Sequence, residues 1–344
     1  MTERLYIAGD VSSALTHFAS YGLALLIEEE HPGAQVLLTY TEDSPPRAVL
    51  VLRGVSSADV GIAVQKVSQR WSCPESWAQK LLLYPDGKKH AFRSPFSPRI
   101  KGFEDEKTWT EHVSFRAAEL DRLSEDGLAL QFIHGLGEAA YWRKESNSPR
   151  PDDGASRWEM KTRNRGEEFI ANRFAGLVRE VATWDSQQIL TGIKGVSLTD
   201  AIGNQKSDSR TSTGLTRPQP VDNALAFVAL LGMGIMAPIR DLHGISITPG
   251  AYPQRVTHPK WMVLPVPINP TTMERMRSIL LSAQFDFVAR ARVGQAGGDN
   301  DLETTGRAWL RSRNIAAVSV FPIFKGGSSS APERQVLDGT LVVL

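Results

Sequence analysis

The sequence predicts an α+β protein of two domains, and three observations predict it. Hydrophobic patterning over residues 5–84 runs strand, helix, strand, strand, helix, strand, the order of the split βαβ or ferredoxin-like fold (βαββαβ). A strongly apolar helix over 224–236 stands at the centre of the second half and is followed by patterns for further strands and helices. Between the halves, residues 143–165 are rich in Pro, Ser, Asn and Asp and carry no apolar period. The expected organisation is therefore a ferredoxin-like domain with a helical extension over 1–142, a basic loop or linker over 143–165, and a second mixed α/β domain over 166–344. A chain of 344 residues has room for two cores of ordinary size.

The first strand is read over 5–8 and the first helix over 12–30. Leu15, Phe18, Gly22, Leu25 and Leu26 share one stripe of that helix, while Ser13, His17, Ser20 and Glu28 fall on the opposite side. Asp10 or Ser12 can cap it, and Pro32-Gly33 ends it. Glycine costs a helix interior roughly 1 kcal/mol against alanine, so Gly22 on the buried stripe predicts the close approach of another backbone. Strands over 35–41 and 47–53 flank the turn at 42–46, a helix over 56–70 buries Val60, Ala63, Val64 and Val67, and a strand over 80–84 closes the unit. Helical patterns then fill 108–142 with a break at 124–127.

In the second half, residues 167–184 make an amphipathic helix with Phe169, Ile170, Phe174, Leu177, Val178 and Val181 inside. A polar loop over 192–220 leads to the 224–236 helix, ALAFVALLGMGIM, which echoes ALTHFASYGLALL at 14–26 in two alanines, a leucine and a glycine. A strand over 261–268, a helix over 271–282, a strand over 285–292, a Gly-rich loop over 294–300 and a helix over 302–313 follow. Strands over 315–324 and 335–344 form a terminal hairpin around the tip at 326–331.

Composition excludes several classes. One cysteine, Cys73, rules out an internal disulfide and a multi-cysteine zinc site. Lysine and arginine (39) balance aspartate and glutamate (38), so a polyanion can be held only by a local patch. No apolar run reaches the twenty or so residues that span a bilayer, and no signal-peptide pattern is present, so the chain is expected in the cytoplasm and away from membranes. Phosphate-binding Gly-x4-Gly-Lys-Ser/Thr and Gly-x-Gly-x-x-Gly loops, H-E-x-x-H and a nucleophile elbow are all missing, and no metal or other cofactor is expected.

The candidate chemistry is basic. Residues 143–165 bring Arg143, Lys144, Arg150, Arg157, Lys161, Arg163 and Arg165 together with Trp142 and Trp158, against four carboxylates. Lys and Arg on loops bind phosphate, and Trp and guanidinium faces stack on unpaired bases. Lys206, Arg210 and Arg217 on the second polar loop, and Arg290, Arg292, Arg307, Arg311 and Arg313 near the ends of the late segments, extend the set. The enzymatic alternative is His17 and Tyr21, one helical turn apart, as general base and acid of a metal-free endoribonuclease.

Three segments carry a family resemblance: THFASYGLALLIEEEHP, VDNALAFVALLGMGIMAP and RSRNIAAVSVFPIF. Their layout resembles that of large or accessory subunits of type I CRISPR effector complexes (Cascade), of the type I-G (formerly I-U) branch. The resemblance implies a non-catalytic subunit of an RNA-guided antiviral complex that contacts guide RNA, target DNA or both. Its implied partners are the other effector subunits and a separate helicase-nuclease that cuts the opened target. A protein-only scaffold is the third reading.

Overall fold

A computed structural model describes residues 2–86, 89–100, 106–160, 169–210, 213–295, 300–327 and 332–344. Its first five elements are β1 (Thr2–Tyr6), α1 (Ala14–Glu30), β2 (Gln35–Tyr40), β3 (Ala48–Arg53) and α2 (Ser57–Ser72). The strands form an antiparallel sheet in the order β1-β3-β2, with Tyr6 opposite Val49 and Val49 opposite Thr39. Leu5, Val36, Leu38, Tyr40, Leu50 and Leu52 turn to the helix side and join the apolar core. Glu3 also turns that way, accepting the N–H and hydroxyl of Ser57 at the start of α2 (2.8 and 2.5 Å). Ser56 and Asp59 close a reciprocal capping box on α2. The strand expected at 80–84 is β4 (Leu82–Asp86), which pairs with β5 (Lys89–Arg93) in a sheet of its own rather than beside β1.

Helices α3 (Glu106–Arg122) and α4 (Gly127–Leu136) follow, then the two-residue strands β6 (Lys144–Glu145) and β7 (Ser148–Pro149). A π-helical turn runs into α5 (Ala175–Ala182), and α6 (Ser186–Lys194) precedes α7 (Asn223–Leu231). The second sheet contains β8 (Ala251–Tyr252), β9 (Trp261–Pro267), β10 (Ile315–Gly327), β11 (Pro332–Val336) and β12 (Thr340–Val343) in the order β11-β10-β9-β8, with β12 also on β10. The expected last strand is thus two, and part of the hairpin tip lies outside the described residues. Helices α8 (Met273–Leu280), α9 (Ala283–Arg292) and α10 (Asn300–Ser312) connect β9 to β10. Residues 285–292 are helical and not a strand, because Ser282 caps the Phe285 N–H (3.1 Å) and Phe285, Val288 and Ala289 recur at helical spacing.

α1 is buried on every side from Ala14 to Ile27, since α7 covers the side opposite the first sheet. Its cap is Ser13, which accepts from Thr16 N. The two echoing helices cross through their shared glycine. A side-chain carbon on Gly22 would overlap the carbonyl oxygen of Val228, and one on Gly232 would overlap that of Phe18. Phe18 and Val228 hold equivalent places in the two thirteen-residue segments, so the crossing is reciprocal. The sheets meet beside it. Leu38 and Thr271 exchange backbone hydrogen bonds of 2.8 and 2.9 Å, and Thr39 Oγ1 donates to Ile268 O (3.0 Å). A single cluster of buried apolar residues runs from Leu5 to Leu344 and draws on both expected domains.

Candidate nucleic-acid interface

Among the described residues, the structure buries or pairs most of the cations that charge density groups together. Arg157 is 2% exposed, and its guanidinium donates to the carbonyls of Asp152, Ala155 and Thr257. Burial lowers its pKa, with Arg99, Asp152, Asp153 and Glu159 as its charged neighbours, and Arg334 donates to the same Thr257 carbonyl. It is a filler of backbone acceptors, not a phosphate contact. Trp158 is fully buried, donates from Nε1 to Pro249 O (3.0 Å), and meets Phe18 edge-on. Both therefore leave the predicted interface. Lys161, Arg163 and Arg165 lie outside the described residues.

Most of the other predicted cations face carboxylates of their own. Arg143 pairs with Asp153, and Arg150 with Glu145 at 3.1 Å, within one small hairpin. Arg210 pairs with Glu333 (2.5 Å) and Arg217 with Asp338 (3.5 Å), tying the 195–222 loop to β11 and the turn after it. Arg290 meets Asp286 (2.8 Å), and Glu303 takes both Arg292 (2.7 Å) and Arg307 (3.4 Å). Arg311 donates to Leu344 O, and Arg313 lies over the Trp309 ring (5.2 Å). Lys144 and Lys206 are exposed. The exposed pairs, Arg150–Glu145 and Arg217–Asp338, add little stability, about 0–1 kcal/mol each, but each carboxylate of the whole set cancels the local field that a polyanion follows.

His17 and Tyr21 are likewise withdrawn from any substrate. Both are fully buried. His17 Nε2 donates to Val11 O (2.9 Å) and Nδ1 accepts from Tyr40 Oη (2.7 Å), which fixes the neutral tautomer. Burial pushes the His17 pKa down to about 4 and the Tyr21 pKa up. An acid and a base sealed in the core cannot serve a ribonuclease.

A different set of cations shares one sheet face. Alternation along a strand turns Thr2, Arg4 and Tyr6 of β1 away from the helices, as it does Val49, Val51 and Arg53 of β3 and Gln35, Leu37 and Thr39 of β2. Register then sets them in rows: Thr2, Arg53 and Gln35; Arg4, Val51 and Leu37; Tyr6, Val49 and Thr39. Arg47 continues β3, since Thr41 N donates to its carbonyl (3.0 Å), and its guanidinium stands 5.3 Å from the centre of the Tyr6 ring. Arg4, Tyr6, Arg47 and Arg53 are exposed, around an apolar floor of Leu37, Val49 and Val51 that stands apart from the main core. Arg53 donates to Gln35 Oε1 (2.8 Å), and among the described residues none of these three arginines forms an ion pair with a carboxylate. Glu42 and Asp43, at the turn beyond Arg47, are the acids of the neighbouring loop.

Charge density along the chain misses this set because its members are scattered singly. Period-two reading of TERLY and RAVLVLR puts each pair on one face, and the β1-β3 adjacency joins them. Among the described residues no group of three His, Cys, Asp or Glu side chains gathers to hold a metal ion, and no helix is long and apolar enough to cross a membrane. No family model, curated protein or solved structure matches the chain.

Proposed function

We propose that the protein is a non-catalytic, nucleic-acid-contacting subunit of an RNA-guided CRISPR effector complex, and that it meets the nucleic acid through the outer face of the β1-β3-β2 sheet. The observation that carries this reading is the contrast in neutralisation. Arg143, Arg150, Arg210, Arg217, Arg290, Arg292 and Arg307 each face a carboxylate, whereas Arg4, Arg47 and Arg53, on the same sheet face as the exposed Tyr6, pair with none among the described residues. Three such charges on one small sheet give a near-neutral protein a local positive field. The layout of the three segments resembling type I-G subunits supplies the complex and its guide and target strands as the setting.

The test is the salt dependence of binding to RNA and DNA. Replacing Arg4, Arg47 and Arg53 by alanine should weaken binding and flatten the log–log salt slope by about 0.7–0.9 per lost phosphate contact. An unchanged slope removes this face from the interface.

A protein-only scaffold is favoured by one other feature. Leu83 of β4 and Phe92 of β5 stand opposite each other at 55% and 68% exposure, with Leu81 beside them at 42%, and exposed apolar groups of this size suit a protein partner. On that reading, the wild-type chain retains neither RNA nor DNA above a control protein at low salt.

A further inference from the structure

The chemistry of the outer sheet face goes further than charge. Taking that face as the nucleic-acid interface, we infer that the strand it takes is single, with one base seated on the Tyr6 ring and the neighbouring phosphates on Arg4, Arg47 and Arg53. A duplex hides the faces of its bases and offers only its phosphates to a flat sheet, so it has no use for an aromatic ring set among the cations. A single strand offers both. Tyr6 is 37% exposed, and Val49, directly opposite on β3, is 1% exposed, which gives the ring a fixed seat.

Arg47 adds a second planar group. Its guanidinium lies over the ring at 5.3 Å, a cation–π contact that holds the tyrosine and offers a planar group of its own to a base. The dimensions agree. Arg47 and Arg53 mark the ends of one extended run, about 20 Å apart at roughly 3.3 Å per residue, while three strands span only about 10 Å across. A platform long in one direction and narrow in the other follows one backbone, over a length suited to the smaller single-strand sites of about four nucleotides. Arg4, opposite Val51 on the neighbouring strand, sits beside that path.

The experiment uses the full chain, a labelled 12-nucleotide uridine or thymidine oligomer, and a mixed-sequence duplex of the same length, with anisotropy read at one low salt concentration. The single strand should bind at least about tenfold tighter than the duplex. Tyr6→Ala should weaken single-strand binding roughly 5- to 150-fold, the range for loss of one base–aromatic stack, while Tyr6→Phe stays near wild type. Unaltered thermal melting of both variants separates lost stacking from lost fold.

Duplex bound as tightly as single strand, or Tyr6→Ala without effect while the triple arginine variant loses binding, overturns the single-strand inference and leaves the interface standing. Equal losses in Tyr6→Phe and Tyr6→Ala also overturn it, since the ring is then not what holds the base. If the triple arginine variant binds both oligomers as wild type does, or wild type binds neither, the interface reading itself has failed.

Discussion

His17 shows how one side chain is fixed by its surroundings. Its Nε2–H faces a carbonyl and its Nδ1 faces a phenol, so the neutral ring satisfies both neighbours. Burial lowers its pKa from 6.5 to about 4 in the folded chain. A folded pKa below the unfolded one means that the unfolded state takes up the proton first. The contribution of His17 to stability is therefore complete above pH 6.5 and is lost as pH falls toward 4, at about 1.4 kcal/mol per pH unit within that window. His112, also lowered to about 4 by burial, acts in the same direction, and Glu159, raised to about 7 by burial, acts in the other. Urea unfolding of wild type and His17→Gln at pH 6.5, 5.5 and 4.5 isolates the one residue. The gap between the two curves should narrow on acidification by that slope, and a constant gap would show an ordinary imidazole. A helical wheel places His17 among Ser13, Ser20 and Glu28 and so suggests solvent, but a wheel sees one helix. Thr16, His17 and Ser20 are buried with their polar atoms bonded to the nearby carbonyls of Ala8, Val11 and Thr16, while α7, the helix that packs on α1, comes from far along the chain.

At the scale of elements, the crossing of α1 and α7 is the most demanding contact. Gly22 and Gly232 each touch the other helix's backbone, so an added methyl has no flexible side chain to displace. Gly22→Ala and Gly232→Ala should each destabilise by about 1–3 kcal/mol, against the roughly 1 kcal/mol that alanine returns in helix propensity elsewhere. Gly176 of α5 is the control. A side-chain carbon there meets only Arg179 Nη2 at 3.9 Å, and Gly176→Ala should be neutral or stabilising. The double variant at the crossing should cost less than the sum, because one separation of the helices accommodates both methyls. Chemical denaturation of the four proteins decides it, and full additivity would mean that the glycines do not share one contact. The close approach at Gly22 was legible in the sequence, because a glycine on an apolar stripe wastes helix propensity unless something needs the space. The place of β4 was not legible. Its pattern fits a fourth strand of the first sheet equally well, and only the partner at Lys89–Arg93 decides where it pairs. Residues 285–292 misled for a related reason: two phenylalanines at alternate positions mimic a strand, while the cap at Ser282 and the Asp286–Arg290 pair make the segment helical.

Across the whole molecule, the polar stretch at 143–165 reads as a boundary because it lacks an apolar period, yet its 151–160 part packs inward. Asp153, Ala155, Ser156, Arg157, Trp158, Glu159 and Met160 are buried. Irregular backbone can be buried when its carbonyls find donors, and here the donors are guanidinium groups: Arg157 as above, Arg99 to Ser156 O and Glu159 O (3.1 and 3.3 Å), and Arg334 to Glu159 O (3.2 Å). Arg157, at the centre of the stretch that looks most like a polyanion site in the sequence, is thus spent on folding, while the arginines of the first sheet, scattered one by one, are exposed to solvent. Core and chain segments interleave accordingly, with Trp71, Phe174 and Phe227 packed ring against ring from both halves. Two halves that share their central helices have no independent route to unfolding, because α7 leaving α1 exposes the apolar faces of both. Native-state hydrogen exchange should therefore give amides at 23–27 in α1 and at 227–231 in α7 the same opening free energy and the same denaturant dependence. Earlier opening of α7, with α1 still protected, would show that the second half unfolds as a separate unit and that the reciprocal glycine contact is too weak to join them.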